Sequence, residues 1–173
     1  MKTLLFGPDD VDKSIDMPGV IEAVEEAFEA HYKGNSVMPP KTYIELPQYN
    51  GDFRAMPAYV EKSAGVKWVN VHPDNPDEFG LPTVMGVVIY NDPRNAYPLA
   101  IMDGTTLTRY RTGAAAGVAS KHLARPDSQS LGLIGAGVQA HTQLQAISAL
   151  FDLEKVVIND IDEEAMQGFI DDV

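Results

Sequence analysis

Cysteine is absent from all 173 residues, which excludes a disulfide, a thiolate nucleophile and a cysteine-held zinc. Positive charge is scarce: 13 Lys and Arg stand against 25 Asp and Glu, a net charge of −12. A surface this acidic repels phosphate backbones, so nucleic acid is not an expected partner. The excess of acid fits equally a protein adapted to high salt and one with a merely acidic surface. No stretch approaches the roughly 18 uninterrupted apolar residues of a membrane span. The apolar run at the N-terminus, ahead of Asp9, Asp10 and Asp12, is too short for a signal peptide. Repeats and low-complexity tracts are also missing. What is present, 45 % apolar residues, suffices for a buried core. A soluble, cytoplasmic protein is expected.

The spacing of Val20, Ile21, Val24, Ala27, Phe28 and Tyr32 predicts a helix over 17–33, capped by Asp16 and ended by Gly34. Strand-like pieces follow at 41–46, 52–59, 65–72, 83–91 and 97–103, separated by turn residues. Strands in succession with little helix between them predict antiparallel or mixed pairing. From Thr112 the Ala-rich TGAAAGVASKHLA predicts a helix, with Thr112 as its N-cap, and PDSQS (126–130) reads as a linker. Beyond it comes a βαβα order, the opening of a parallel sheet. The expected class is α/β: a mixed α/β domain over 1–125, then the first part of a Rossmann domain over 126–173.

That second part opens on GLIGAGVQAH. In Gly135-x-Gly137-x-x-Ala140, Gly135 permits the tight turn, Gly137 lets a pyrophosphate near the backbone, and Ala140 keeps helix and strand close. The following helix offers free N–H groups to phosphate. Asp160 ends the next strand, where an acid binds an adenosine ribose and favours NAD over NADP.

Three cations stand in unusual places. Alternation in GVKWVNVH puts Lys67 on one face with Val69 and Val71, and Trp68 on the other. Lys67 is therefore either at the sheet's margin or inside it, where acid–base chemistry becomes available. Arg54 shares a face with Met56 and fits either a substrate carboxylate or an ion pair. Arg111 and Thr112, beside the predicted helix start, would form a second anion site. His72, Asp74, Asp77 and Glu78 lie in a Pro- and Asn-rich stretch that reads as a solvated turn, so no metal is expected. No Ser/His/Asp arrangement is supported.

Taken together, "VMPPK" (37–41), "GDFRAMPAY" (51–59), "GVKWVNVHPDNP" (65–76), "GLPTVMG" (80–86), "PLAIMDGTTLTRYRTGAAAGVAS" (98–120) and "GLIGAGVQAHTQL" (132–144) resemble the ornithine cyclodeaminase/mu-crystallin family. The likeness is greatest to its archaeal alanine dehydrogenase branch. It implies an NAD-dependent amino-acid dehydrogenase acting as a homodimer, with oxidative deamination of L-alanine as the expected reaction. Ornithine cyclodeaminase activity and non-catalytic, mu-crystallin-like binding are the alternatives. By that resemblance Arg54 holds the substrate carboxylate and Lys67 serves acid–base chemistry at the reacting end. Thr83 and Arg111 face the nicotinamide cofactor, Arg111 also reaching the substrate. Val138 and Gln139 belong to the pyrophosphate turn, and Asp160 is the ribose acid. Family members run to roughly twice this length, so the chain reads as truncated.

Overall fold

Strand β1 (Leu4–Phe6) leads into helices α1 (Pro8–Ser14) and α2 (Met17–Tyr32) in the computed structural model, which describes residues 2–173. Asp16 caps α2 by accepting from the Gly19 N–H at 2.8 Å. Gly34, at φ +75°, ends it in the left-handed conformation that suits glycine. The strands β2 (Ser36–Val37), β3 (Thr42–Leu46), β4 (Gly51–Val60), β5 (Ser63–Val71), β6 (Val84–Asn91) and β7 (Pro98–Asp103) follow, with a short helix α3 (Asn75–Phe79) between β5 and β6. Together with β1 they form one seven-stranded sheet, in the order β1-β7-β6-β5-β4-β2, with β3 also on β4. Only β1 and β7 run parallel, so the pairing is mixed, as the run of strands predicts.

The β6–β7 turn is held by one carboxylate. Asp92 accepts from the Arg94 backbone N–H and from both Nε and Nη2 of Arg94, at 2.8–3.0 Å, and from Asn95. The Arg94 guanidinium, then its backbone N–H, pull the Asp92 pKa down to about 2. A depressed carboxyl stabilises the fold fully above its unfolded pKa of about 4 and loses that effect as pH falls towards 2. Asp92→Asn should therefore lower the urea midpoint at pH 6, with the gap to wild type narrowing below pH 4. A gap constant with pH would refute the ion pair as its source.

Helix α4 (Gly104–Leu123) begins eight residues before the predicted start. Asp103 accepts from the Thr106 N–H at 2.6 Å and supplies the cap assigned to Thr112. Thr112 lies inside the helix, its hydroxyl donating to the Thr108 carbonyl one turn back. The N-cap role of Thr112 is corrected accordingly. The early start was hidden because 104–111, GTTLTRYR, carries no apolar stripe.

The chain then forms β8 (Ser130–Ile134), α5 (Val138–Ser148), β9 (Lys155–Asn159) and α6 (Glu163–Asp172), and β8 and β9 pair in parallel. This is the opening of a Rossmann sheet. The chain divides into two units, 1–14 with 27–107, and 15–26 with 108–173. In the second, Met17 and Ile21 of α2 pack with Ala114 and Val118 of α4 and Ala146 of α5. A second cluster joins Leu133, Ala136, Ala140 and Phe169. Helices α4 and α5 approach so closely that a Cβ on Gly113 would collide with the Thr142 backbone carbonyl. Gly113→Ala should therefore destabilise by about 1–3 kcal/mol despite its better helix propensity. An unchanged or raised melting temperature would show that the helices can part without cost.

Candidate active site

Antiparallel partners directly opposite one another share a face. Arg54 lies opposite Val69, Met56 opposite Lys67, and Asp52 opposite Val71. Arg54 and Lys67 are thus diagonal neighbours on one face of the β4–β5 ladder, roughly 7–8 Å apart by the geometry of such a pair. Strand β5 lies between β4 and β6, so Lys67 sits within the sheet rather than at its margin. Val88 of β6 stands opposite Lys67 on that face. The other face carries Trp68 stacked on Phe53, with ring centroids 5.4 Å apart. Thr83 immediately precedes β6, and its carbonyl accepts from the His72 N–H at 2.8 Å.

The Arg54 guanidinium is already engaged. Its Nε donates to one Asp52 oxygen at 2.6 Å and its Nη2 to the other at 2.8 Å. Its Cζ stands 5.2 Å from the centre of the Tyr43 ring, which faces it from β3. Hydrogen bonding from Arg54 holds the Asp52 carboxyl below the usual carboxylate range, and the reciprocal bond raises the Arg54 pKa. Both groups stay charged at neutral pH. Neither Asp52 nor Tyr43 was anticipated as part of the site. The signal for Asp52 was its i, i−2 spacing from Arg54 on a strand, which puts both on one face.

The second unit holds the remaining candidates. Gly135, at φ +101°, makes the turn after β8 in a conformation that side chains rarely adopt. Gly137 is the N-cap of α5 at φ −74°, with no side chain capping the helix. A Cβ at Gly137 would meet nothing within 4 Å. The first-turn N–H groups, including those of Val138 and Gln139, lie at the helix's positive end. Asp160 follows β9 and reaches this turn, accepting from the Ala136 N–H at 2.6 Å and from the Asp162 N–H at 3.0 Å. The Ala136 N–H above all keeps its carboxyl below the usual range. Its remaining lone pairs suit donors such as ribose hydroxyls.

Arg111 lies two turns into α4, so the anion site expected from a helix N-terminus at Arg111 and Thr112 does not exist in that form. Gly113 meets Thr142 and Gly117 meets Ala146, so α4 and α5 run parallel. Gly113 and Gly117 mark the face of α4 that meets α5, and Arg111, two residues before Gly113, lies on another face of the helix. Arg111 is exposed, and desolvation of its guanidinium holds its pKa below the usual arginine value. Among the described residues no group of three or more His, Asp or Glu is arranged to hold a metal, and no helix is long and apolar enough to cross a membrane.

The alanine dehydrogenase of Archaeoglobus fulgidus is 48 % identical over 170 residues, which cover 98 % of this chain and 52 % of that protein. A solved archaeal alanine dehydrogenase dimer with bound NAD superposes with a TM-score of 0.94 at 47 % identity, over 99 % of this chain and 52 % of that one. The Thermococcus litoralis Δ1-pyrroline-2-carboxylate reductase, solved with NADH and L-proline, also gives 0.94, at 44 % identity, over 98 % of this chain and 53 % of that one. The chain spans about half the length of the relatives it matches. The family model described as ornithine cyclodeaminase/mu-crystallin matches residues 1–173. With a mixed sheet that carries Arg54 and Lys67 on one face and a Rossmann opening that carries the glycine turn, the chain belongs to the ornithine cyclodeaminase/mu-crystallin family.

Proposed function

We propose that the protein is an NAD-dependent alanine dehydrogenase. The observation that carries this reading is the shared face of Arg54 and Lys67, the two cations an α-amino acid needs at its carboxylate and at its reacting end. Residues 1–125 carry the substrate cations Arg54 and Lys67 together with Thr83, Arg111 and Thr112, and residues 126–173 begin the cofactor domain. The residues fit NAD: an uncapped α5 N-terminus, open space at Gly137 and an ionised Asp160 beside the turn. Gly135, Gly137, Val138 and Gln139 would cradle the pyrophosphate, Asp160 the ribose, and Thr83, Arg111 and Thr112 the rest of the cofactor. When bound, the nicotinamide accepts the hydride that leaves the α-carbon of alanine. Arg54 holds the carboxylate through that change. Lys67 moves a proton at the substrate nitrogen and polarises the carbonyl as water converts the imine to pyruvate and ammonia.

A homodimer fits the exposed apolar face opposite Arg54, where Trp68 and Val87 are 40 % and 43 % exposed. A cytoplasmic setting completes the reading, and a chain without cysteine is compatible with it.

Calorimetric titration of NADH into the folded protein, at low and at high salt, tests the reading. Saturable binding, together with NADH formation from L-alanine and NAD, is the expected result. No binding at either salt overturns it. Ammonia release from L-ornithine without net NADH identifies a cyclodeaminase instead. Binding without turnover of either amino acid identifies a non-catalytic, mu-crystallin-like protein.

A further inference from the structure

A guanidinium offers five N–H donors along a side edge and an end edge. In Arg54 the side edge, Nε with Nη2, is filled by the two oxygens of Asp52. The Tyr43 ring stands beneath Cζ. Tyr43 lies directly opposite Arg54 in the β3–β4 register, and Asp52 lies two residues earlier on the same strand, so all three share one face. A side chain that would otherwise sample many rotamers is held from two directions. Nη1, on the end edge, has no protein partner among the described residues. A carboxylate docks on that edge through two parallel N–H bonds.

We propose that Asp52 and Tyr43 are positioning residues, which set Arg54 so that its end edge meets the α-carboxylate of the substrate. The inference rests on the assignment of Arg54 made under the proposed function. Two effects of Asp52 oppose one another. Ordering Arg54 in advance removes the rotamer cost from the binding step. The Asp52 anion, in contrast, weakens the net positive charge that a substrate carboxylate meets. A positioning role requires the first effect to win. A carboxylate that merely competed for Arg54 would show the second.

The experiment is calorimetric titration of pyruvate and of L-alanine, at saturating cofactor, into the full chain and its variants, with NADH affinity and melting temperature measured in parallel. Asp52→Asn keeps the size of the side chain and removes its charge. It should weaken both carboxylate ligands roughly three- to tenfold, the ordering cost of one long side chain, with NADH affinity unchanged. Asp52→Glu, which restores the anion, should recover part of the loss. Tyr43→Phe, which keeps the ring, should bind like wild type, and Tyr43→Leu should not. Tighter or unchanged binding of pyruvate by Asp52→Asn overturns this inference alone. So does an equal loss of NADH affinity, which would mark a general structural role. A wild-type protein that binds NADH but neither carboxylate overturns the placement of Arg54 at the substrate, and this inference with it.

Discussion

Replacing Lys67 with alanine should abolish turnover and leave NADH binding nearly intact. Lys67 sits mid-strand in β5, half-buried, on the Arg54 face of the first unit. The glycine turn and Asp160, to which we assign the cofactor, belong to the second unit. A positioned proton-transfer group contributes about 10²–10⁴-fold in rate, so the loss should be of at least that order. Lys67→Arg should not restore activity, because a guanidinium keeps the charge and cannot release its proton near neutral pH. Steady-state NADH formation from L-alanine and fluorescence titration of NADH give the two numbers. Loss of both to a similar degree would mean that Lys67 supports the fold of the site, and its chemical role would have to be abandoned.

Gly137→Val carries the second large effect. At φ −74° the backbone there is open to any residue, and a Cβ would touch nothing in the protein. Loss of a good N-cap costs α5 about 1 kcal/mol at most, so the melting temperature should fall by only a few degrees. NADH affinity should fall far more, roughly tenfold to a hundredfold, because the branched side chain fills the space a pyrophosphate would take and breaks its bonds to the helix N–H groups. The contrast with Gly113 is the point of the test. Gly113 is small because Thr142 presses on it, whereas nothing in the chain explains the smallness of Gly137. If Gly137→Val binds NADH as wild type does, the pyrophosphate lies elsewhere.

The legible parts of this fold were those where burial and periodicity coincide. Alternation along GVKWVNVH placed Lys67 and Val69 on one face, and Val69 is buried while Trp68 faces out. The glycine turn was legible because its neighbours, a strand and a helix, are themselves strongly patterned. The start of α4 was not. Thr105, Thr106, Thr108, Arg109 and Arg111 give no stripe, and the one available signal was Asp103 three residues ahead of Thr106. Strand β1 escaped because three residues, two of them exposed, are too few to show a period. Helix α1 carried its signs in Pro8 at the first position and Asp9 and Asp10 in the first turn, but one buried residue, Val11, is no pattern. The clasp of Asp52 and Tyr43 on Arg54 depends on the register of three strands, which no local reading supplies.

Neither unit is a continuous stretch of chain, and this shapes how the protein must be made. Residues 15–26 emerge from the ribosome about eighty residues before α4 begins to follow them, an interval of several seconds at ordinary synthesis rates. Throughout that wait Met17 and Ile21 have no Ala114, Val118 or Ala146 to bury them. The nascent chain thus displays an apolar helix face, the kind of surface that chaperones hold. For the same reason, a cut at any single point between 27 and 107 cannot release an intact unit.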